Sequence, residues 1–264
     1  MRTETIAPRQ PLELLAPAGR IGVIALATDF NIEKDLRQIY PIGVEMFTTR
    51  VRNFNPLTSN NLRAMAPGIS AAADAILPGT QLDAIIYACT SGTVAIGSDR
   101  VTELIHQSCP AAAVTNPVTA AAAAFKHFGA KRISILTPYT EVVNRDVAEV
   151  FSNLGFEVLN IAGFGFEDDT AMSFITPQDI EDAAVAVCDP RADLLFVSCT
   201  ALRVSGVIGT LEQRLGKPVV SSNQALAWHT LKMVSYASTV PGFGTLLSQQ
   251  LPTLKPASVS AMEY

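Results

Sequence analysis

The chain contains the same pattern twice, and that repeat restricts it to a duplicated architecture. Leu82-Asp-Ala-Ile-Ile-Tyr-Ala-Cys89-Thr90 is matched 110 residues later by Ala192-Asp-Leu-Leu-Phe-Val-Ser-Cys199-Thr200. Upstream of each copy, Arg20-Ile-Gly-Val-Ile-Ala-Leu is matched by Arg132-Ile-Ser-Ile-Leu-Thr-Pro at an offset of 112. Downstream, Ala113-Val-Thr-Asn116-Pro is matched by Val219-Val-Ser-Ser-Asn223-Gln, with the asparagines 107 apart. Three ordered anchors at nearly constant offset mark a duplicated half.

Each anchor is a short apolar run rich in β-branched residues, the signature of a buried parallel strand. Similar runs occur at residues 45–49 and 157–161. Segments with helical spacing lie between them, at residues 61–75, 93–107, 119–128, 141–154, 177–187 and 225–236. Strands alternating with helices predict an α/β fold. It should form two pseudo-symmetric Rossmann-like lobes with parallel sheets and the active site between them. One lobe is expected over residues 20–118 plus about 235–264 and the other over 119–234. Residues 1–19, with Glu4, Glu13 and three prolines, read as a flexible leader rather than a signal peptide.

In open parallel sheets, ligands sit beyond the carboxyl ends of the strands. Cys89 and Cys199 fall at such ends. Cys89-Thr90-Ser91-Gly92-Thr93 and Cys199-Thr200-Ala201-Leu202-Arg203 read as strand-to-helix turns. There the backbone N–H groups and helix dipole favour a carboxylate, with donors at Thr90, Ser91, Thr200 and Ala201. The same field is expected to lower a thiol's pKa. Inverting a stereocentre beside a carboxylate takes a base on one face and an acid on the other. Two thiols fill those interchangeable roles without a metal or organic cofactor. Cys109 and Cys188 read as small apolar residues.

The paired Cys-Thr turns, with Thr137-Pro-Tyr139-Thr and Val220-Ser-Ser-Asn223-Gln-Ala, resemble the Asp/Glu racemase superfamily. They are most similar to its branch of maleate isomerases, arylmalonate decarboxylases and ectoine-utilisation proteins. The resemblance spans nearly everything after Arg20. It implies a homodimer or higher homo-oligomer, an interlobe site, no cofactor and a small carboxylate substrate, with Tyr139 touching that substrate. Asn116 and Asn223 follow matching strands and are candidates to orient carboxylates. Arylmalonate decarboxylases keep only the second cysteine, whereas this chain has both. Maleate isomerases place an asparagine in the turn after the first strand, and here Ala27-Thr28-Asp29-Phe30-Asn31 puts Asp29 there. An aspartate repels a carboxylate and suits an ammonium group, although Asp29 equally fits the cap of a helix beginning near Ile32. The reaction expected is racemisation or isomerisation of a small amino or dicarboxylic acid, in the ectoine-utilisation setting that the resemblance suggests. Maleate cis–trans isomerisation with Cys89 as covalent nucleophile, arylmalonate-type decarboxylation and non-catalytic binding of a small acid are the alternatives.

Other classes find little support. A charged fraction of 16% and a net charge of −5, with no basic run, leave no electrostatic footprint for nucleic acid. No apolar stretch reaches membrane-spanning length, so a cytoplasmic protein is expected. The three histidines are isolated and the cysteines lack zinc spacing. No nucleotide-binding loop or serine-hydrolase elbow is present. Arg50 and Arg203 are candidate carboxylate clamps, and Glu167-Asp168-Asp169 reads as a solvated acidic loop, with a substrate contact as the alternative.

Overall fold

Alternating buried strands and helices produce two sheets in the computed structural model, which describes residues 1–13 and 15–249. The first half runs β1 (Gly19–Leu26), α1 (Ile32–Ile39), β2 (Val44–Val51), α2 (Ser59–Arg63), α3 (Ala66–Asp74), β3 (Ala84–Ala88), α4 (Thr90–Ile96), α5 (Ser98–His106), β4 (Ala113–Thr115) and α6 (Pro117–His127). The second runs β5 (Arg132–Tyr139), α7 (Glu141–Asn153), β6 (Glu157–Phe166), α8 (Asp169–Met172), α9 (Pro177–Val187), β7 (Leu194–Val197), α10 (Ile208–Leu215), β8 (Val219–Ser221) and α11 (Ser222–Met233), with α12 (Thr245–Ser248) after it. The sheets have the orders β2-β1-β3-β4 and β6-β5-β7-β8, and every pairing is parallel. The two topologies are identical, as duplication requires.

An Arg–Asp pair marks the start of the central strands in each half. Asp83 accepts from the Arg20 backbone N–H at 2.7 Å, and Asp193 accepts from that of Arg132 at 2.8 Å. The side chains add ion pairs at 3.6 and 2.7 Å. Such partly exposed pairs contribute little stability; their value here is to fix which residues lie opposite. Ile21 stands beside Ala84, and Ile133 beside Leu194, which reproduces the offsets of 112 and 110. Beyond β4 and β8 the sequence alignment needs correction. Ile86 pairs with Thr115 and Phe196 with Val220, so the structural counterpart of Asn116 is Ser221, not Asn223. Both counterparts cap the helix that follows.

The final helix of each half crosses to the other. α6 inserts Phe125 into the second half, where its ring lies 5.5, 5.2 and 5.2 Å from Phe151, Phe156 and Phe196. α11 packs along α6 and returns to α1, β3 and β4 of the first half. The small side chains of Ala120, Ala121 and Ala124 are wholly buried and permit close approach. The expected return of residues 235–264 to the first lobe is therefore made by α11. Up to residue 249 the following segment contacts both halves: Phe243 O accepts from Gln224 at 2.6 Å, Thr245 N–H donates to Glu212 at 2.9 Å, and Gln249 hydrogen-bonds His127 at 2.9 Å. Residues 250–264 of that expectation lie outside the described residues. The helix expected over residues 93–107 is interrupted at Gly97, whose φ of +94° suits glycine. Among the described residues no helix is long and apolar enough to cross a membrane.

Phe125 is fully buried and joins α6 to the second core. Phe125→Ala should cost about 3–5 kcal/mol of unfolding free energy by urea titration; a loss below about 1 kcal/mol would contradict this packing.

Candidate active site

Cys89 ends β3 with extended backbone and caps α4, its Sγ accepting the Gly92 N–H at 3.1 Å. A thiol in the place normally held by a hydroxyl or carboxylate cap directs a helix N-terminal donor onto sulfur. Gly92 is required by proximity, since a Cβ there would lie 2.7 Å from the Tyr87 hydroxyl and 2.8 Å from Cys89 Sγ. Cys199 follows β7 with φ +153°, unusual for a side-chain-bearing residue. Its Sγ accepts from Ala201 N–H at 3.4 Å. The expected helix does not follow: the chain turns through residues 200–202 and α10 begins only at Ile208. Cys199 therefore has turn N–H donors but no helix dipole.

Hydroxyl groups tie the two turns together. Ser222, the first residue of α11, accepts from Cys199 N–H at 3.1 Å and hydrogen-bonds the Thr90 hydroxyl at 3.1 Å. Thr200 donates to Asp29 at 2.9 Å and to Ala88 O at 3.3 Å. One small cavity results, lined by Leu26, Thr28, Asp29, Cys89, Thr90, Ser91, Tyr139, Asp169, Cys199, Thr200 and Ala201. The structure thus brings together every sequence-derived candidate except Asn116, Asn223, Arg50 and Arg203. Asn116 caps α6 by accepting Thr119 N–H at 2.9 Å. Asn223 donates to Asp35 at 2.8 Å and to Thr200 O at 2.9 Å, bracing the Cys199 turn from behind. Neither lines the cavity.

Arg50 and Arg203 also face away from it. Arg50 donates to Leu26 O, Asp29 O and Glu33 at 3.0, 2.9 and 2.7 Å, and Arg203 donates to Ile175 O at 2.9 Å and Phe174 O at 3.2 Å. Asp29 performs the capping role, accepting N–H groups of Asn31 and Ile32 at 2.7 and 2.9 Å, while also lining the cavity. Asp169 is the residue that sequence reasoning missed. It belongs to the acidic run read as solvated, yet it is only 8% exposed and accepts from Asn53 at 2.6 Å. Nothing in the local sequence separates it from Asp168, which caps α8 at the surface.

Loops from both halves close the mouth. Asn53 bridges Asp169 and Thr28, Asn55 donates to Asp168 at 2.7 Å, and Leu57 N–H donates to Glu167 O at 2.8 Å. The rings of Phe30 and Phe174 meet outside at 5.7 Å. The interior is small, with room for little more than one water molecule.

Burial governs the charges. It raises the Cys89 thiol far above the usual thiol range, reinforced by the charge of Asp169 and opposed by the Gly92 N–H and Ser91 hydroxyl. It pushes Cys199 up to about 12, opposed by Tyr139 and Ala201 N–H. The lowered thiol pKa expected from a helix N-terminus is therefore reversed, because desolvation and neighbouring carboxylates outweigh the dipole. Burial also raises Asp29, and Asp169 to about 6. Tyr139 is raised by burial and by both thiols, and its hydroxyl lies within hydrogen-bonding reach of Cys199 and Ser91. It remains a protonated donor.

Two equivalent lobes that each deliver a cysteine to one shared cavity define a paired-thiol α/β protein. The chain belongs to the arylmalonate decarboxylase family, whose profile matches residues 35–247. It is 24% identical over 245 residues to the maleate isomerase of Geobacillus stearothermophilus, covering 87% of this chain and 97% of that one. It is 27% identical over 138 residues to the arylmalonate decarboxylase of Bordetella bronchiseptica, covering 51% and 58%. In structure it is similar to a Nocardia farcinica maleate cis–trans isomerase variant with a covalently bound succinylcysteine intermediate. That likeness has a TM-score of 0.81 and 22% identity, covering 88% of this chain and 99% of that one.

Asp169 supplies a pH signature. Its folded pKa lies above the ordinary 3.8, so its contribution to stability is fully present below pH 3.8 and lost as pH rises through about 6. From pH 4 to pH 7 the stability of the wild type should fall relative to Asp169→Asn by up to about 3 kcal/mol, measured by urea unfolding at each pH. A difference that stays flat with pH would contradict the burial of this carboxylate.

Proposed function

We propose that the protein is an isomerase that moves a proton at the carbon beside a carboxylate, using Cys89 and Cys199 as acid and base on opposite faces. The observation that carries this reading is the convergence of one thiol from each equivalent lobe on a single closed cavity. In one direction the thiolate of one cysteine removes the α-proton, leaving a planar enediolate. The thiol of the other returns a proton to the opposite face, so the two sulfurs exchange protonation states. In the reverse direction the roles exchange. The N–H groups of Thr90, Ser91, Thr200 and Ala201 surround the substrate carboxylate, and the Tyr139 hydroxyl donates to the enediolate. Small amino and dicarboxylic acids are the substrate range, and the homodimer implied by the sequence resemblance is part of this proposal.

A second reading is favoured by one contact. The Gly92 N–H on Cys89 Sγ stabilises a thiolate placed to add to a double bond, and the Nocardia farcinica relative carries a succinylcysteine. Maleate cis–trans isomerisation through Cys89 would then leave a transient thioether adduct detectable by intact mass.

Proton NMR in D₂O with aspartate, glutamate, diaminobutyrate and its acetyl forms, maleate and arylmalonates separates these chemistries. Deuterium entering an α-carbon with the skeleton intact is expected, whereas fumarate from maleate or CO₂ from a malonate would assign the alternatives. Cys89→Ser and Cys199→Ser should each lower turnover at least about 100-fold, in the range typical of acid–base groups, with circular dichroism unchanged. Full activity in either variant would contradict the two-thiol reaction.

A further inference from the structure

We infer that this site is built for a substrate bearing a cationic nitrogen beside the reacting carbon, with Asp169, supported by Asp29, as the group that recognises it. The inference rests on the two-thiol reading of the same cavity and adds the class of substrate. Two carboxylates line the cavity, and no Lys, Arg or His side chain among the described residues does so. Both aspartates are more than nine-tenths buried. The nearest guanidinium, that of Arg50, is held outside by carbonyl oxygens and Glu33.

The two acids differ in what they have left to offer. Asp29 Oδ1 holds two backbone N–H groups and its Oδ2 holds the Thr200 hydroxyl, which leaves one lone pair on Oδ2. Asp169 Oδ2 holds Asn53, while its Oδ1 takes no hydrogen bond from the described residues. It is therefore available to accept from a donor that a ligand brings into the cavity that Asp169 lines. A dicarboxylate would bring two more negative charges into a cavity that already contains two aspartates and needs one thiolate. An α-ammonium group brings the missing positive charge, and in a low-dielectric cavity that difference is large.

The same charge bears on the chemistry. Both thiols are held protonated by burial and by the neighbouring carboxylates. An ammonium seated at Asp169 offsets those carboxylates and favours loss of one thiol proton to bulk water as the ligand enters, so the substrate itself creates the base. The empty site stays inert, and a ligand without the cation leaves it so.

Binding of paired probes tests this by calorimetry on the whole chain: aspartate against succinate, and 2,4-diaminobutyrate against 4-aminobutyrate, with maleate as a further dicarboxylate. At least one α-ammonium acid should bind ten-fold or more tightly than its partner lacking the α-nitrogen. Asp169→Asn should reduce that preference by ten-fold or more. Equal or tighter binding of the partner acids or of maleate, binding of no ammonium acid, or an unchanged preference in a folded Asp169→Asn protein would overturn the inference; the wild-type comparison decides if the variant does not fold. Failure of the underlying reading is distinguishable. Ammonium acids that bind without α-proton exchange overturn the two-thiol reaction and support this recognition. Cysteine-dependent turnover of maleate alone supports thiol chemistry and overturns the recognition.

Discussion

Everything in this molecule depends on holding the ends of two separate sheets against one another around one small cavity. Neither sheet contains the site. β3 delivers Cys89 and β7 delivers Cys199, and the junction is made by Ser222 at the head of α11, which contacts both turns. A single hydrogen bond of this kind contributes only about 1 kcal/mol. The exchanged helices provide the larger share: α6 anchors Phe125 in the second core, and α11 carries Ser222 while packing on the first sheet. Asn31 and Asn223 extend the junction by holding Asp35 and Thr200 O from opposite halves. Duplication alone yields two lobes; the crossing helices turn them into one site.

Closing the site sets its electrostatics. Two thiols and two carboxylates buried around one cavity cannot all ionise, and each anion raises the pKa of its neighbours. The protein places fixed donors beside the sulfurs, from Gly92, Ser91, Ala201 and Tyr139, but no fixed cation. The resting state is consequently one of protonated thiols. Reactivity has to arise with the arriving ligand, and the loop contacts among Asn53, Asn55, Asp168 and Asp169 separate that ligand from solvent once it is inside.

The fold was legible because strand periodicity and the Arg–Asp and Cys-Thr anchors are local signals repeated twice. The paired cysteines with Thr90, Ser91, Thr200 and Ala201 were legible for the same reason, since all follow central strands, whereas Tyr139, the last residue of β5, was legible only through the family resemblance. Asn223 was misread because it lies two residues beyond the true counterpart, so alignment by residue type matched it to Asn116 although Ser221 occupies the equivalent place. Asp169 was missed because its burial comes from Asn53 and the facing lobe, 116 residues away in sequence. The thiol pKa direction was misjudged because sequence shows a helix start but not the depth of burial around it.

The most direct measurement of the central claim follows deuterium during turnover of a single enantiomer in D₂O, using any acid in which the protein exchanges an α-proton. Two thiols on opposite faces predict that the inverted product carries deuterium at the α-carbon at early conversion while the remaining substrate stays protonated. Inverted product without deuterium, or equal label in product and recovered substrate, would contradict a site in which Cys89 and Cys199 serve opposite faces of one carbon.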